Sequence, residues 1–274
     1  MSDYMTAMEK LEKMGLSDMA AELKKYYRNA VGCFVKEYKD DIPVGASKIG
    51  GFPDLPPNVE YPVMSGYTMK WLRGQSAGTA ERYEESAMQL VAQINLYELA
   101  ESGADIEKLL PERGMLYIFW SGEGAPLISN EWVEYILDNP EKYDSQKIFW
   151  WDGDMSKLKR TFPPCDYYIK YFEECIPESA IEFNSIDEYE KYAADDIDGL
   201  EETLDIDAYE LSESCDKLLG VPKGANVPEL DEDEVNLFQF DYNIGCMWTA
   251  YWIMNKADLL NRDFSKVKFD ADCD

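Results

Sequence analysis

The chain has 274 residues, 46% of them hydrophobic and 14% aromatic, which is enough to bury a large core and excludes a disordered acidic tail. Its 26 Lys and Arg stand against 55 Asp and Glu, a formal net charge of −29. Because phosphate groups are bound by clustered positive charge, this balance excludes nucleic acid and anionic membrane as expected partners.

The composition also limits the chemistry that the chain can perform. Histidine is absent, which removes the commonest general base near neutral pH, the Ser-His and Cys-His nucleophile pairs, and the usual catalytic zinc sites. The six cysteines are scattered without a C-x-x-C pair, whereas a disulfide or zinc framework would cluster them. We therefore expect reduced thiols and no bound metal or cofactor. Carboxylate or lysine chemistry stays open, but the composition favours a protein without catalytic activity over an enzyme.

Hydropathy predicts where the protein is located. No apolar run approaches the roughly 20 residues of a membrane span, and no basic start followed by an apolar segment marks a signal peptide. Together with reduced thiols, these features predict a cytoplasmic protein that does not contact membranes.

The first 30 residues predict two short helices, ahead of a single α+β domain at 31–274. Gly15 suits the C′ position of the first helix, and Ser17 can cap the second. Apolar side chains recur along one face of each helix, so these faces are expected to pack on the body of the protein. A strand at 31–38 follows.

A proline-rich segment at 47–62 organises the next part of the chain. It holds four prolines and the adjacent Gly50 and Gly51. Because proline fixes φ and lacks an amide donor, we predict an ordered, extended loop rather than a helix or a central strand. A shorter version of the same pattern returns at 217–222.

Apolar runs and their period predict the remaining elements. The fold class is α+β, mainly antiparallel sheet with peripheral helices. Strands are predicted at 88–96, 115–120, 148–151, 165–172, 235–242, 248–254 and 264–269, and helices or helical turns at 97–101, 105–110, 131–138 and 256–260.

Two regions share one order of features: a Lys-x-x-Gly-x-Pro loop, a strand with a central Gln, and an aromatic strand. The matched residues are Lys48 and Lys217, Gly51 and Gly220, Pro53 and Pro222, Gln93 and Gln239, and Asn95 and Asp241. This order predicts an internal duplication with half-repeats at 47–120 and 217–254; chance coincidence of short motifs is the alternative. In a duplication, each Gln side chain should bond the backbone of its own loop.

An acidic insertion at 173–216 contains 17 acidic residues and a single basic one, Lys191. We predict one or two solvated helices here, with Ser185 and Glu188 forming a capping box. The segment 194–205 partly matches a calcium loop but lacks the expected ligands at two positions, so we expect no calcium site here. The residues expected to form a surface for a basic partner are Glu188, Glu190, Asp195, Asp196, Asp198, Glu201 and Glu202.

Several motifs resemble those of the YwqG-like bacterial proteins, and they extend across 47–269. They are S-K-I-G-G-F-P-D-L-P with a later Y-P at 47–62, L-V-A-Q-I-N-L at 90–96, L-P-E-R-G-M-L-Y-I-F at 110–119, K-L-L-G-V-P at 217–222 and L-F-Q at 237–239. The resemblance implies a cytoplasmic α+β protein rich in antiparallel strand. It gives almost no indication of a reaction or a ligand.

The chain departs from that family pattern at two places. Ser214, Cys215 and Asp216 stand where the resemblance implies a histidine, and 243–247 replaces a Trp-Gly-Asp stretch. A ligand or reaction that those groups serve in relatives would be lost here.

The sequence leaves two main functions open, with self-association as a third. The favoured one is a non-catalytic protein-binding module whose acidic surface engages a basic partner, such as an immunity or inhibitor protein that neutralises a toxin or nuclease domain. The alternative is a small-ligand-binding protein or enzyme with its site between the two loops, where a lysine beside a glycine turn holds an anion. That site would be lined by Lys48, Lys217, Gln93, Gln239, Asn95 and Asp241, unless these residues hold the loops in place.

Overall fold

The computed structural model describes residues 6–36, 41–64, 67–70, 79–82, 86–120, 146–163, 176–213, 215–224, 227, 230–244 and 246–273. The chain is an α+β protein with a large antiparallel sheet and peripheral helices, which confirms the predicted fold class. The helix predicted at 131–138 and the strand predicted at 165–172 lie outside the described residues.

The regular elements follow one another along the chain as listed here. The α-helices are α1 (Ala7–Lys13), α2 (Ser17–Leu23), α3 (Leu96–Ser102), α4 (Tyr192–Asp196), α5 (Leu200–Leu204) and α6 (Lys256–Leu260). The strands are β1 (Tyr27–Val35), β2 (Lys48–Ile49), β3 (Asp54–Leu55), β4 (Val63–Met64), β5 (Tyr67–Lys70), β6 (Thr79–Arg82), β7 (Ser86–Ala87), β8 (Gln89–Asn95), β9 (Met115–Trp120), β10 (Gln146–Trp151), β11 (Lys159–Arg160), β12 (Ser179–Tyr189), β13 (Lys217–Leu219), β14 (Glu234–Ile244), β15 (Cys246–Asn255) and β16 (Lys268–Cys273).

The chain divides into two compact units. The first unit comprises Met1–Phe34, Leu99–Leu110 and Phe183–Asp274, and the second comprises Val35–Glu98 and Pro111–Glu182. Each unit contains one of the two Lys-x-x-Gly-x-Pro loops together with the Gln strand that follows it in sequence.

In the second unit, β10, β9, β8 and β2 are antiparallel neighbours in that order, and β2 also pairs with the start of β12. The register sets Gln93 opposite Tyr117 and Lys48 opposite Gln93. Aromatic rings fill the face of this sheet, with the centroids of Tyr117 and Phe149 stacked 4.8 Å apart. The core is completed by Leu55, Met88, Leu90, Met115, Phe119 and Leu158.

In the first unit, β1, β13, β14, β15 and β16 form an antiparallel series in that order. The register sets Lys217 opposite Gln239, and Gln239 opposite Tyr251. Helices α1, α2, α4 and α5 cover a separate apolar cluster formed by Leu11, Ala20, Leu23, Tyr189, Ala193, Ile197, Leu200, Leu204 and Leu211. This cluster explains the apolar stripes of the two N-terminal helices.

The acidic insertion differs from its prediction in its first half. Ser185 and Glu188 lie in the 11-residue strand β12, so they do not form a capping box. The reason is the alternation of Ile181 and Phe183, which are buried, with exposed polar residues, a two-residue period typical of a strand. The predicted acidic helices begin only at Tyr192.

Four smaller predictions are also corrected. No helix forms at the described residues 105–110, and the segment predicted as a strand at 264–269 begins with a 3-10 helix at Phe264–Lys266, so that β16 starts only at Lys268. Ser17 is the first residue of α2, and the N-cap is Leu16, which makes no side-chain cap bond. The segment 47–62 begins with β2, a two-residue strand between β8 and β12. Lys48 and Ile49 can lie in the sheet interior because the prolines start only at Pro53, so both residues keep their amide donors.

Both Gly-Pro loops turn through two consecutive residues with positive φ. These are Gly50 (64°) and Gly51 (68°) in the second unit, and Leu219 (61°) and Gly220 (74°) in the first. A Cβ on Gly220 would lie 2.4 Å from Glu188 Oε2 and 2.4 Å from Ala30 Cβ. Glycine is therefore required at Gly220 for both its backbone conformation and its close packing.

We predict that Gly220→Ala destabilises the protein more than Gly199→Ala. Both glycines have φ of 74°, but a Cβ at Gly199 meets nothing within 4 Å. The backbone term of roughly 1–2 kcal/mol is common to both variants, and the clash at Gly220 adds about 1–3 kcal/mol. Urea unfolding of the two variants measures the difference, and equal losses would show that Gly220 is needed only for its φ.

Candidate functional site

Lys48, one of the predicted ligand residues, is fully buried inside the second unit. Its ammonium donates to Glu178 Oε1 at 2.7 Å and to the carbonyl of Phe52, and it lies 3.9 Å from Asp54 Oδ2. Burial lowers the pKa of Lys48, and the hydrogen bond to Glu178 opposes this effect. The lysine is thus enclosed by two carboxylates and by the loop that follows it.

Asp54 connects the loop to its surroundings through both carboxylate oxygens. Oδ1 accepts from Arg160 Nε at 2.6 Å, and Oδ2 accepts from the Gly45 amide and from Gln93 Nε2, each at 2.9 Å. Burial by itself would raise the pKa of Asp54, but the hydrogen bonds from Arg160 and Gln93 hold it below its ordinary value. The carboxylate is therefore kept ionised although it is buried.

Gln93 and Tyr117 hold the ends of this loop. Gln93 Nε2 donates to the Ala46 carbonyl at 2.9 Å, and its Oε1 accepts from the Asp54 amide at 2.7 Å. The Tyr117 hydroxyl donates to the Asp54 carbonyl at 2.5 Å. Asn95 adds a bond from Nδ2 to the Gly45 carbonyl at 2.8 Å. We call this set of contacts, with Lys48 and Glu178, the first loop anchor.

Lys217 occupies the corresponding place in the first unit. Its ammonium donates to Glu188 Oε1 at 2.6 Å and to the Glu213 carbonyl at 2.9 Å. The side chains of Lys217 and Glu188 are both fully buried. Glu188 also accepts from the amides of Glu213 and Val221, each at 2.8 Å, so it holds the chain on both sides of the lysine.

Gln239 and Tyr251 hold this second loop in the same way. Gln239 Oε1 accepts from the Lys223 amide at 2.9 Å, and its Nε2 donates to the Cys215 carbonyl at 3.5 Å. The Tyr251 hydroxyl donates to the Lys223 carbonyl at 3.0 Å. We call these contacts, with Lys217 and Glu188, the second loop anchor.

The two anchors match position by position. Each Gln amide donates to the carbonyl two residues before its lysine and accepts from the amide of the residue after the proline. The carbonyl of that last residue accepts from a tyrosine on the neighbouring strand. Each loop thus lies against its own Gln strand, with its backbone groups satisfied by the Gln side chain.

Five of the six predicted ligand residues, all except Asp241, belong to the two loop anchors. Lys48, Gln93, Lys217 and Gln239 are fully buried, and the polar contacts given above occupy their head groups within the loop anchors. Asn95 Oδ1 accepts from the Tyr97 amide at the start of α3. In this arrangement both ammonium groups donate to carboxylates and backbone carbonyls of their own unit.

A carboxylate pair distinguishes the second anchor from the first. Asp216 Oδ1 accepts from the Asp241 amide at 2.8 Å, whereas in the first anchor the Ser47 hydroxyl accepts from the Asn95 amide at 2.9 Å. Burial, supplemented by the charge of Asp241, raises the pKa of Asp216 to about 7. The second anchor therefore contains a titrating group where the first has a hydroxyl.

The predicted acidic surface is smaller than the sequence indicates. Glu188 is buried in the second loop anchor, and Glu190 is ion-paired with Arg28. The remaining residues lie on α4, on α5 and on the turn between them, and all of them are solvent-exposed. We call this surface the acidic face: Asp195, Asp196, Asp198, Glu201 and Glu202.

A groove of 340 Å³ also lies in the first unit, between α1, β12 and the segment that follows α5. Its apolar part is formed by Ala7, Ile186, Leu204, Ile206 and Leu211. Its acidic part is formed by Asp187, Asp205, Glu210 and Glu213, and Lys10 adds one ammonium. We call it the acidic groove. The sequence marks its carboxylates only as part of an acid-rich segment, because their grouping depends on the packing of α1.

The described ranges lack two further features. No group of three or more Cys, Asp or Glu there is arranged to hold a metal ion. No helix among them is both long enough and apolar enough to cross a bilayer.

The fold and the anchors define a class of protein: an α+β protein in which two matching proline loops are each fastened by a buried lysine and a glutamine strand. The family described as a domain of unknown function (DUF1963) matches residues 47–273, and the chain belongs to this family. Apart from Gly45 and Ala46, both loop anchors fall within the matched residues. No curated protein matches the chain.

We predict that Lys217→Met destabilises the protein by about 3–5 kcal/mol, because it leaves the fully buried Glu188 carboxylate without its cation. Lys48→Met should cost clearly less, since Glu178 is 32% exposed and keeps Arg160 at 3.0 Å. Urea unfolding compares the two variants. The double variant Lys217→Met/Glu188→Gln should recover part of the loss, and strictly additive losses would contradict the pairing.

We predict that Asp216 makes the protein less stable as the pH rises. Its folded pKa of about 7 lies above its ordinary value of 3.8, so the folded state holds a proton that the unfolded chain has released. The resulting stability is complete below about pH 4 and is lost towards about pH 7, with a slope of at most about 1.4 kcal/mol per pH unit.

Asp216→Ser, which reproduces the hydroxyl of Ser47, should flatten this dependence. Urea midpoints measured across the same pH range give the difference between the variant and the wild type. The exposed Asp152→Asn serves as a control for the loss of one charge. If both variants change the slope equally, then the effect belongs to the net charge and not to the anchor.

Proposed function

We propose that the protein is a non-catalytic protein-binding module that uses its acidic face to bind a basic protein partner. The observation that carries this proposal is the concentration of five carboxylates within residues 195–202, on two short helices and the turn between them. An inhibitor or immunity protein that neutralises a basic toxin or nuclease is the concrete form of this function.

The acidic face has a rigid support. Ala193, Ile197 and Leu200 alternate with its carboxylates and are buried in the cluster beneath it. Asp196 also accepts from the Tyr26 hydroxyl at 2.7 Å, which ties α4 to the end of the N-terminal helical segment. A preorganised set of like charges on a chain of net charge −29 favours fast association with a positively charged surface.

The loop anchors favour this function over the small-ligand alternative. A lysine that binds an anion must present its ammonium to the ligand, whereas the ammonium groups of Lys48 and Lys217 are buried against internal carboxylates and carbonyls. The absence of histidine agrees with a role in binding.

We further propose that the chain is a YwqG-like member of its family and acts in the cytoplasm. The motifs at 47–62, 90–96, 110–119, 217–222 and 237–239 support the first part. Cys33 and Cys215, which are free thiols, support the second, because thiols persist in a reducing compartment.

We predict that a photoreactive amino acid placed at Glu202 crosslinks a basic protein in the host cell, and that the crosslink weakens at high ionic strength. The reason is that screening removes the attraction between exposed charges. Mass spectrometry of the crosslinked product identifies the partner. The same amino acid at the exposed Glu112, which lies in the second unit, serves as the control position.

Charge variants sharpen this test. The quadruple variant Asp195→Asn/Asp198→Asn/Glu201→Gln/Glu202→Gln keeps the Asp196 bond to Tyr26 and should lose the partner. A matched variant removes the same number of exposed carboxylates from the second unit: Glu60→Gln, Glu112→Gln, Asp41→Asn and Asp152→Asn. If both variants lose the partner to the same extent, or if no basic protein is captured, then the proposal is wrong.

A further inference from the structure

The acidic groove combines two features that suit one kind of side chain. The side chains of Ile186 and Ile206 are partly buried, so they offer accessible apolar surface within the groove. Asp205, Glu210 and Glu213 line the same space and are solvent-exposed. A ligand that fits must therefore carry an apolar stem and a positively charged head.

The charges of the groove are unbalanced. In the part of the chain that the structure describes, Asp205, Glu210 and Glu213 form no ion pair, whereas the carboxylate of Asp187 accepts from the Tyr27 hydroxyl at 2.9 Å. Lys10 is the one cation among the lining residues. A cationic ligand would thus gain attraction from carboxylates that no buried partner already neutralises.

The size of the groove limits its occupant. Its 340 Å³ lies at the lower end of the range of small-molecule pockets, which suits one or two protein side chains better than a large cofactor. Arginine fits better than lysine, because its guanidinium is planar, is more weakly hydrated, and can bond two carboxylates at once.

We propose that the acidic groove binds an arginine side chain from an exposed basic segment of a partner protein. The methylene stem packs on Ile186 and Ile206, and the guanidinium bonds the carboxylates of Asp205, Glu210 and Glu213. This inference rests on the proposed function, since it names the chemistry by which the partner of the acidic face is recognised.

The position of Asp205 fits this role. It ends α5 in the left-handed region with φ of 55°, one of the few residues other than glycine with positive φ in the described chain. Asp adopts this conformation more readily than most residues do. The left-handed conformation of Asp205 ends α5 beside the groove. The chain can then turn back through Ile206, whose amide donates to the Glu201 carbonyl at 3.2 Å.

Binding of a defined probe tests the proposal. The probe is a dye-labelled peptide of three arginines separated by serines, compared with the same peptide in which citrulline replaces each arginine. Citrulline keeps the shape of the side chain and removes its charge. We expect the arginine peptide to bind the full-length protein in fluorescence anisotropy titrations at low ionic strength, and the citrulline peptide to bind at least about tenfold more weakly.

Two triple variants of equal charge locate the binding site. Asp205→Asn/Glu210→Gln/Glu213→Gln neutralises the groove and should weaken binding of the arginine peptide about tenfold or more. Asp195→Asn/Glu201→Gln/Glu202→Gln removes the same charge from the acidic face and should change it by less than about twofold. In NMR spectra, the amide signals of Ile186 and Ile206 should move on titration, and those of the second unit should not.

Three results would overturn the proposal: no binding of the arginine peptide, equal losses in the two triple variants, or equal binding of the citrulline peptide. The test is independent of the crosslinking at Glu202. If a basic partner is captured there while the peptide does not bind, then the groove proposal is wrong and the acidic face stands. If the peptide binds the groove while no partner is captured, then the proposed function is wrong and the groove remains a binding site.

Discussion

A buried lysine paired with a glutamate beneath a glycine turn is the interaction on which both halves of the chain depend. In the first unit, Lys217 and Glu188 are fully buried, and the same carboxylate accepts two backbone amides from the chain on either side of the lysine. Removing two charges from water is costly, and the pair is tolerable only because these additional bonds satisfy the carboxylate. These bonds also specify the path of the loop, because the Lys217 ammonium and the amides of Glu213 and Val221 must all reach Glu188.

The two anchors share their contacts but differ in the environment of the acid. Glu178 is one-third exposed and is shared between Lys48 and Arg160, whereas Glu188 has no contact with solvent. The first positive-φ position is Gly50 in one loop and the buried Leu219 in the other. A Cβ on Gly50 would lie 2.5 Å from the Ile176 carbonyl, which explains why a side chain is accommodated in one loop only. The lysine of the second anchor is thus paired with a fully buried carboxylate, whereas the lysine of the first anchor is paired with a partly exposed one.

Sequence reasoning predicted the parts of this protein that depend on local pattern. The strand at 115–120 and the helix at 256–260 were predicted with their observed bounds, because the pattern that marks each of them lies within a few consecutive residues. The function of Glu188 could not be predicted, because nothing in its neighbourhood distinguishes a carboxylate that faces a distant lysine from one that faces water. The acidic groove has the same property, since α1 completes it from nearly 200 residues away in sequence.

The strand that carries Glu188 leads within a few residues into the acidic face. Asp195, Asp198, Glu201 and Glu202 are exposed above a buried apolar cluster, so we expect their charges to be exchangeable with little effect on the fold, whereas Asp196 accepts from the Tyr26 hydroxyl. Glu188 has no such freedom, because both its oxygens hold the backbone. The charge pattern of this surface can therefore be altered by substitution, whereas a change at Glu188 would also disturb the path of the loop.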